Sequence, residues 1–165
     1  MGAPQIRSLQ DDAWQEQNKP LGIWKFLDLC GEHLGVRVEE LAVGDVSSVH
    51  HYHTLEEEHV IALEGQATLV FGDQEYPFVA GDHVWFRAGD EIAHHFVNSG
   101  TSAFRCLVIG ERKRGDVCVY PEHGVANIKA MNSGWKQFDI AQRSRLLQAE
   151  LRAERSDLNQ DPDNP

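Results

Sequence analysis

Cysteine is scarce in this sequence, and long apolar runs are absent. The 165 residues contain three cysteines, Cys30, Cys106 and Cys118, which are widely spaced and form no CxxC pair. This odd number predicts reduced thiols inside a cell rather than a disulfide framework. No apolar run approaches the roughly 18 residues of a transmembrane helix, and residues 5–19 are mostly polar and do not resemble a signal peptide. We therefore expect a cytoplasmic protein.

Basic charge is also in short supply. Lysine and arginine together number 15 against 26 acidic residues, which gives a formal net charge of −11. The basic residues form no cluster that would offset this excess locally. Because nucleic acids and anionic membrane surfaces attract positive patches, the sequence predicts neither of them as a partner. The length fits one domain with a substantial hydrophobic core.

Short apolar segments separated by turn signals dominate the middle of the chain. Glycine followed by aspartate marks turns at Gly72, Gly81 and Gly89. The predicted strands between such signals cover residues 23–29, 36–41, 47–53, 58–63, 67–71, 75–79, 83–86, 94–98, 103–109 and 117–120. Because no helical period separates them, the pattern predicts an all-β antiparallel sandwich or barrel rather than a parallel α/β fold.

The two ends of the chain differ from this central region. Residues 1–22 form a polar arm, in which Ile6, Leu9, Ala13 and Trp14 suggest one side of a short helix that docks on the body or on a partner subunit. Residues 23–125 are the predicted barrel. Residues 126–158 form an extension with a helix that begins after the N-cap Asp139 and carries the apolar stripe Ile140, Leu147, Leu151 and Leu158. Residues 159–165 are predicted to be a disordered tail.

The stretch 44–65 carries the clearest chemical signal. His51 and His53 are two positions apart, so a strand places both side chains on the same face. Glu58 follows where a short turn can bring the next strand alongside. Imidazoles and a carboxylate that converge on one point are typical ligands of a divalent transition metal. Such a site needs at least one more ligand, and His94, in a strand that follows a glycine turn, supplies it.

Together these two stretches resemble the two sequence motifs of the cupin family. The first motif has the form HxH, four residues, Glu, six residues, Gly, and the second has the form Gly, strand, turn with Gly, His, three residues, Asn. The matching residues are His51, His53, Glu58 and Gly65 in the first motif, and Gly81, Gly89, His94 and Asn98 in the second. The resemblance covers residues 35–110 and implies a double-stranded β-helix, or jelly-roll barrel, with the N-terminal arm and the C-terminal helix attached.

The resemblance also implies a site and a range of functions. It implies one divalent transition metal, zinc, iron, manganese or nickel, held by His51, His53, Glu58 and His94. It further implies a small-molecule ligand or substrate and a homodimer. Three interpretations stay open: a metalloenzyme of dioxygenase, isomerase or lyase type that acts on a small polar or oxygen-bearing molecule, a non-catalytic ligand-binding or sensing module, and a structural or storage protein with a vestigial site.

Three further residues are candidates for the substrate pocket. Phe96 lies near His94 and is expected to wall the pocket. Arg87 is able to pair with a substrate carboxylate, although a surface arginine is the commoner role. Asn98 lies on the face of His94, and we expect it to satisfy backbone groups of the barrel. By the same strand parity, Tyr52 and the histidines beside the ligands, His50, His59 and His95, should point to the opposite face.

Overall fold

The computed structural model of this chain describes residues 6–9, 14–19, 22–29, 31–130 and 134–140. The predicted C-terminal helix from residue 141 onward and the predicted tail at 159–165 lie outside these residues. The described part of the extension before the predicted helix consists of two strands, the second of which ends at Asp139. No helix within the described ranges has the length and apolar character needed to cross a membrane.

Antiparallel strands make up more than half of the described residues, with almost no helix, so the predicted all-β architecture is confirmed. The strands are β1 (Gln15–Lys19), β2 (Gly22–Asp28), β3 (Leu34–Leu41), β4 (Tyr52–His53), β5 (Glu58–Glu64), β6 (Gln66–Phe71), β7 (Gln74–Val79), β8 (His83–Phe86), β9 (His94–Val97), β10 (Phe104–Glu111), β11 (Val117–Tyr120), β12 (Val125–Ala130) and β13 (Gly134–Asp139). A single 3₁₀ turn, Pro121–His123, joins β11 to β12.

The strands form three sheets of a jelly roll. One sheet has the order β1-β2-β3-β10-β5-β8, a second has β13-β12-β11-β4, and a third has β7-β6-β9. The hydrophobic core lies mainly between the first and third sheets, because alternate residues of their strands face each other there. Its members include the fully buried Phe104, Leu41 and Val60 together with Phe78 and Phe96. A polar cavity lies between β3, β5 and β10 of the first sheet and β11 and β12 of the second.

The predicted strand 47–53 is divided between two partners. Val46, just before it, forms an isolated bridge with Val97 of β9, and His51 forms another with His94 of β9. The last two residues of the predicted strand form β4 and pair with β11 instead. The chain therefore changes partner immediately beside the two histidines, which brings β9 and β11 to the same end of the barrel.

Residues outside the predicted strands also add to the sheets. Strand β1 extends the first sheet beyond β2. Trp14, just before β1, lies under the side chains of Lys25 and Arg105, with their cationic groups 5.2 and 5.6 Å from the ring centroid. Residues 14–19 thus dock on the barrel itself. Strands β12 and β13, which sequence patterns did not indicate, extend the sheet that contains β11.

Candidate metal centre

His51 and His53 present their imidazoles to the same cavity, and each ring is oriented by a hydrogen bond at Nδ1. The Nδ1–H group of His51 donates to the carbonyl oxygen of Val49 at 2.7 Å. The Nδ1–H group of His53 donates to Asp116 Oδ2 at 2.6 Å. In the neutral form of each ring, a proton held at Nδ1 makes Nε2 the nitrogen that can bind a metal. Hydrogen bonds of this kind fix the tautomer of metal-binding histidines.

The environments of the two imidazoles differ in charge. Burial, with the neighbouring His94 and His53 rings adding to it, lowers the pKa of His51 to about 3, so this ring is neutral at pH 7. Burial also lowers the pKa of His53, but its hydrogen bonds to Asp116 and Cys118 outweigh that effect and raise the pKa to about 10. His53 is therefore protonated at pH 7 in the absence of a metal, close to a carboxylate that compensates for its charge, and a metal would have to displace the proton at Nε2.

Asp116 is completely buried and serves three donors at once. Besides His53, it accepts backbone N–H groups of Leu55 at 2.9 Å and Glu56 at 3.2 Å through Oδ1. Although burial raises the pKa of this carboxyl, the hydrogen bond from His53 and those from the backbone hold it below its usual value. Asp116 therefore connects the turn after β4 to the ring of His53, and it holds both in one position.

His94 has the most informative surroundings. The residue is 4% exposed, and within the described chain neither ring nitrogen has a hydrogen-bond partner. Its ring stacks on Phe86 with the centroids 3.5 Å apart, and it lies 5.0 Å from the centroid of His51. A buried imidazole with two unpaired nitrogens costs free energy, since buried polar groups are normally hydrogen-bonded. A ligand that accepts a lone pair would remove that cost.

Glu58 lies next to His94 at the start of β5. Its Oε1 atom is 3.8 Å from His94 Nε2, and its Oε2 atom is 3.9 Å from a guanidinium nitrogen of Arg37. Both distances are longer than those of a normal hydrogen bond. Burial raises the pKa of this carboxyl, but His94 and Arg37 outweigh that effect and lower the pKa to about 2. Glu58 is therefore ionised at pH 7.

These side chains line one cavity of about 420 Å³. All four predicted ligands reach it: His51, His53, Glu58 and His94. Five carboxylates face it, from Glu39, Glu56, Glu57, Glu58 and Glu111, whereas three basic side chains do, from Arg37, Arg112 and Lys129. The lining therefore carries an excess of two negative charges when its histidines are neutral, and a divalent cation would balance it.

This region contains two groups of three donor atoms, and within each group the atoms lie within 4.8 Å of one another. One consists of His51, His53 and Cys118, and the other of His53, Glu56 and Asp116. Neither Glu58 nor His94 belongs to these two groups in the part of the chain that the structure describes. The residues nevertheless fit a metal ion, because imidazole nitrogens that lack partners, an ionised carboxylate and a buried thiol are all suitable donors.

The three predicted pocket residues lie in different places. Phe96 lines the cavity and also packs against Phe78 and Phe104 in the core. Asn98 is 1% exposed, and its side chain donates to the carbonyl oxygens of Leu41 and Ser102 and accepts from a backbone amide. Its contacts thus satisfy backbone groups, as expected. Arg87 is exposed, lies over the Trp85 ring and borders a much smaller second cavity.

The residues expected on the opposite face lie away from the main cavity. Tyr52 and Arg87 border the second cavity, which three predicted ligands, His53, Glu58 and His94, also line. His50 bonds Glu122 at 2.9 Å and packs edge-on against His95 at a centroid distance of 4.9 Å. His59 stacks with the outward-facing His83. His50, His59 and His95 thus do not line the main cavity, as period-two alternation predicts, whereas Tyr52 shares the second cavity with the ligands.

Several residues of the site could not be found from local patterns. Asp116 and Cys118 reach the histidines only because β11 pairs with β4, with Cys118 directly opposite His53. Glu56 is buried and binds Lys129, a residue of β12. A sequence signal exists only for Asp116, which follows a glycine turn and precedes a strand. That signal does not indicate which strand it meets.

Comparisons with known proteins agree with this architecture. A family model described as a cupin domain matches residues 37–110. No match is found among curated proteins. A sugar phosphate isomerase of the cupin superfamily from Silicibacter pomeroyi is 31% identical, with a TM-score of 0.67 over 70% of this chain and 76% of that one.

Two further solved structures are similar over most of their length. A protein from Acidithiobacillus ferrooxidans, described provisionally as a sugar phosphate isomerase, is 29% identical, with a TM-score of 0.75 over 82% of this chain and 92% of that one. A cupin 2 conserved barrel domain protein from Salinispora arenicola is 25% identical, with a TM-score of 0.54 over 67% of this chain and 91% of that one. The motifs, the jelly-roll topology and these similarities lead to one conclusion: the chain belongs to the cupin superfamily.

Proposed function

We propose that this protein is a metal-dependent isomerase that acts on a small sugar phosphate in the barrel cavity. The observation that carries the metal site is the state of His94, which is buried with both ring nitrogens unpaired beside two oriented imidazoles. The reaction class rests on the similarity to two structures described as sugar phosphate isomerases, at 31% and 29% identity. Both cover more than two thirds of this chain.

His51, His53 and His94 would hold the metal through ring nitrogens, and Glu58 would hold it through a carboxylate oxygen. When bound, such an ion acts as a Lewis acid that polarises a carbonyl or hydroxyl oxygen. The chain itself supplies apolar surfaces beside the ligands, since Phe96 lines the cavity and Phe86 stacks on the ring of His94. Exclusion of water strengthens the electrostatic interactions inside the cavity.

The charges of the lining suggest where a phosphate group would bind. Excess negative charge disfavours an anionic substrate deep in the cavity, unless a cation balances it. Arg112, which is exposed, and the partly buried Lys129 are basic groups of the lining outside the ligand cluster. We infer that the phosphate pairs with Arg112, whose planar guanidinium binds phosphate oxygens bidentately. The carbon atoms to be isomerised would then extend inward.

Isomerisation of a sugar also needs a group that moves a proton between adjacent carbons. Glu56 is the best placed carboxylate for this task, because one of its oxygens lies within 4.8 Å of both His53 and Asp116 donor atoms. Its Oε1 atom accepts from the Lys129 ammonium and the Lys113 amide, which fixes the carboxylate in place. A carboxylate held beside the substrate can act as general base and then as general acid.

A metal analysis combined with an activity assay tests the proposal. The protein is purified without added metal, its metal content is measured by mass spectrometry, and aldose and ketose phosphates of three to six carbons are followed by NMR. We expect bound transition metal and interconversion of at least one pair. His94→Ala should lose both, whereas His83→Ala, on the outer surface, should retain both. Metal-free wild-type protein that isomerises as fast as loaded protein would contradict the proposal.

A matched pair of arginine variants separates substrate binding from metal binding. Arg112→Ala should raise KM at least about tenfold with unchanged metal content, because a lost charged hydrogen bond to substrate costs about 1.5–3 kcal/mol. Arg114→Ala, in the neighbouring exposed turn, should leave KM unchanged. Saturable binding of sugar phosphates without any product would instead support the non-catalytic binding module. The homodimer stays a prediction, which light scattering on the purified protein tests.

A further inference from the structure

Cys118 occupies a position that core packing alone does not explain. It lies on β11 directly opposite His53 of β4, and residues opposite each other in an antiparallel pair share a face of the sheet. The thiol is 4% exposed and lines the cavity. Buried cysteines usually behave as small apolar residues. The neighbours of Cys118 in this cavity, however, include polar side chains, among them those of His53 and Tyr120.

The donor atoms around Cys118 are close enough to share one ion. One nitrogen of His51, one nitrogen of His53 and the sulfur of Cys118 all lie within 4.8 Å of one another. The Nδ1 atom of each imidazole already takes part in an oriented hydrogen bond, which fixes the position of the ring. Two nitrogens and a sulfur in this arrangement are typical donors of a tetrahedral transition-metal site.

A second observation at the same cavity points independently to a ligand. His94 is more than nine-tenths buried, lines the cavity and has no hydrogen-bond partner for either ring nitrogen in the described chain. Its ring centroid is 5.0 Å from that of His51, on the side of the cavity formed by β9. The cluster around Cys118 therefore faces an unsatisfied imidazole rather than a closed apolar wall.

We propose that the thiolate of Cys118 is a ligand of the metal, together with His51 and His53. This inference rests on the metal site proposed above and adds a sulfur donor to the ligands proposed there. On binding, the thiol proton is released to solvent and the sulfur forms a bond to the metal, with no change of oxidation state. A thiolate is a soft ligand, so the site would favour zinc, iron or cobalt over manganese or magnesium.

Cobalt substitution tests this ligand directly, because a thiolate bound to Co²⁺ gives an intense near-ultraviolet charge-transfer band that nitrogen and oxygen ligands do not give. We expect the band in cobalt-loaded wild-type protein and its loss in Cys118→Ser. Cys106→Ser is the matched control, since Cys106 is equally buried and lines the same cavity but does not belong to the donor group. It should keep the band.

Zinc provides a second measurement that needs no variant. The X-ray absorption of zinc-loaded wild-type protein should show a sulfur scatterer at about 2.3 Å in addition to nitrogen at about 2.0–2.1 Å. Cys118→Ser should lower zinc affinity at least about tenfold. Removal of a residue that only hydrogen-bonds to a ligand already costs about that much, and removal of a ligand should cost no less. Manganese affinity should change less.

The outcomes distinguish this inference from the proposed function. Stoichiometric cobalt binding without a charge-transfer band, or zinc absorption with nitrogen and oxygen scatterers alone, overturns the role of Cys118 and leaves the metal site intact. Absence of any cobalt or zinc binding overturns the metal site and the inference together. A band that persists in Cys118→Ser but disappears in Cys106→Ser also overturns the role of Cys118.

Discussion

Replacement of Asp116 by asparagine should separate metal affinity from stability in an informative way. The side chain keeps its size, but one oxygen becomes an NH₂ group that donates hydrogen bonds. In the native protein both oxygens accept: Oδ2 from His53, and Oδ1 from the amides of Leu55 and Glu56. An asparagine can satisfy only one side of this arrangement, because it has a single acceptor.

Two orientations of the asparagine are available, and each has a measurable cost. If its carbonyl oxygen keeps the two backbone amides, the NH₂ group faces Nδ1 of His53 and forces the proton of that ring onto Nε2. The metal-binding atom is then blocked, and affinity should fall about 10- to 100-fold, or about 1.4–2.7 kcal/mol. If the amide is reversed, the ring is preserved but two buried N–H groups lose their acceptor, at about 1–3 kcal/mol each.

Two assays on the same preparation distinguish these cases. Competition between the protein and a chromophoric chelator gives the zinc affinity, and urea denaturation of the metal-free protein gives the free energy of unfolding. The matched control is Asp82→Asn, where Asp82 accepts the amide of Val79 at 2.8 Å in an exposed turn remote from the cavity. It should leave zinc affinity unchanged. If Asp116→Asn changes neither zinc affinity nor stability, Asp116 does not hold His53 as inferred.

Three further predictions concern metal removal, the backbone and pH. Zinc at a hundred times its dissociation constant should stabilise the fold by about 2.7 kcal/mol. A chelator should therefore lower the melting temperature of the zinc-loaded protein. The melting temperature of His94→Ala should not depend on zinc. Gly65→Ala should destabilise more than Gly44→Ala in urea: both glycines have positive φ, but only at Gly65 would a Cβ meet backbone, the Ala103 oxygen, at 2.5 Å. Equal losses would show that this clash relaxes. Burial raises the pKa of Glu40, but its partners Lys25 and Arg105 lower it more, so the folded-state pKa lies below the ordinary value. The ionised carboxylate therefore stabilises the fold fully above the unfolded pKa of about 4.3, and this stabilisation is lost as pH falls through the folded pKa. Urea unfolding of Glu40→Gln should therefore show a deficit at pH 7 that shrinks at pH 3, and a pH-independent deficit would refute it.

The strand pattern was largely predictable because it depends on neighbours in the chain. Strands β8 and β11 have the predicted bounds, and most others differ by one or two residues. Alternation also predicted the opposite directions of His50 and His51, since side-chain direction in a strand follows from backbone geometry alone. The predicted strand 47–53 was too regular. Its partner changes from β9 to β11, and a change of partner is a long-range event that no local pattern records.

The sequence by itself determined the residue types that line one end of the barrel. They are two histidines separated by one residue, a glutamate beyond a turn and a third histidine in a later strand. Those choices follow from period-two geometry and from ligand chemistry, together with a resemblance to family motifs. Only the tertiary structure decided that Asp116 orients His53, that Cys118 lies opposite it and that Lys129 holds Glu56. These contacts span more than sixty residues of chain, and they exist because the packing of the whole barrel sets which strands meet and in which register.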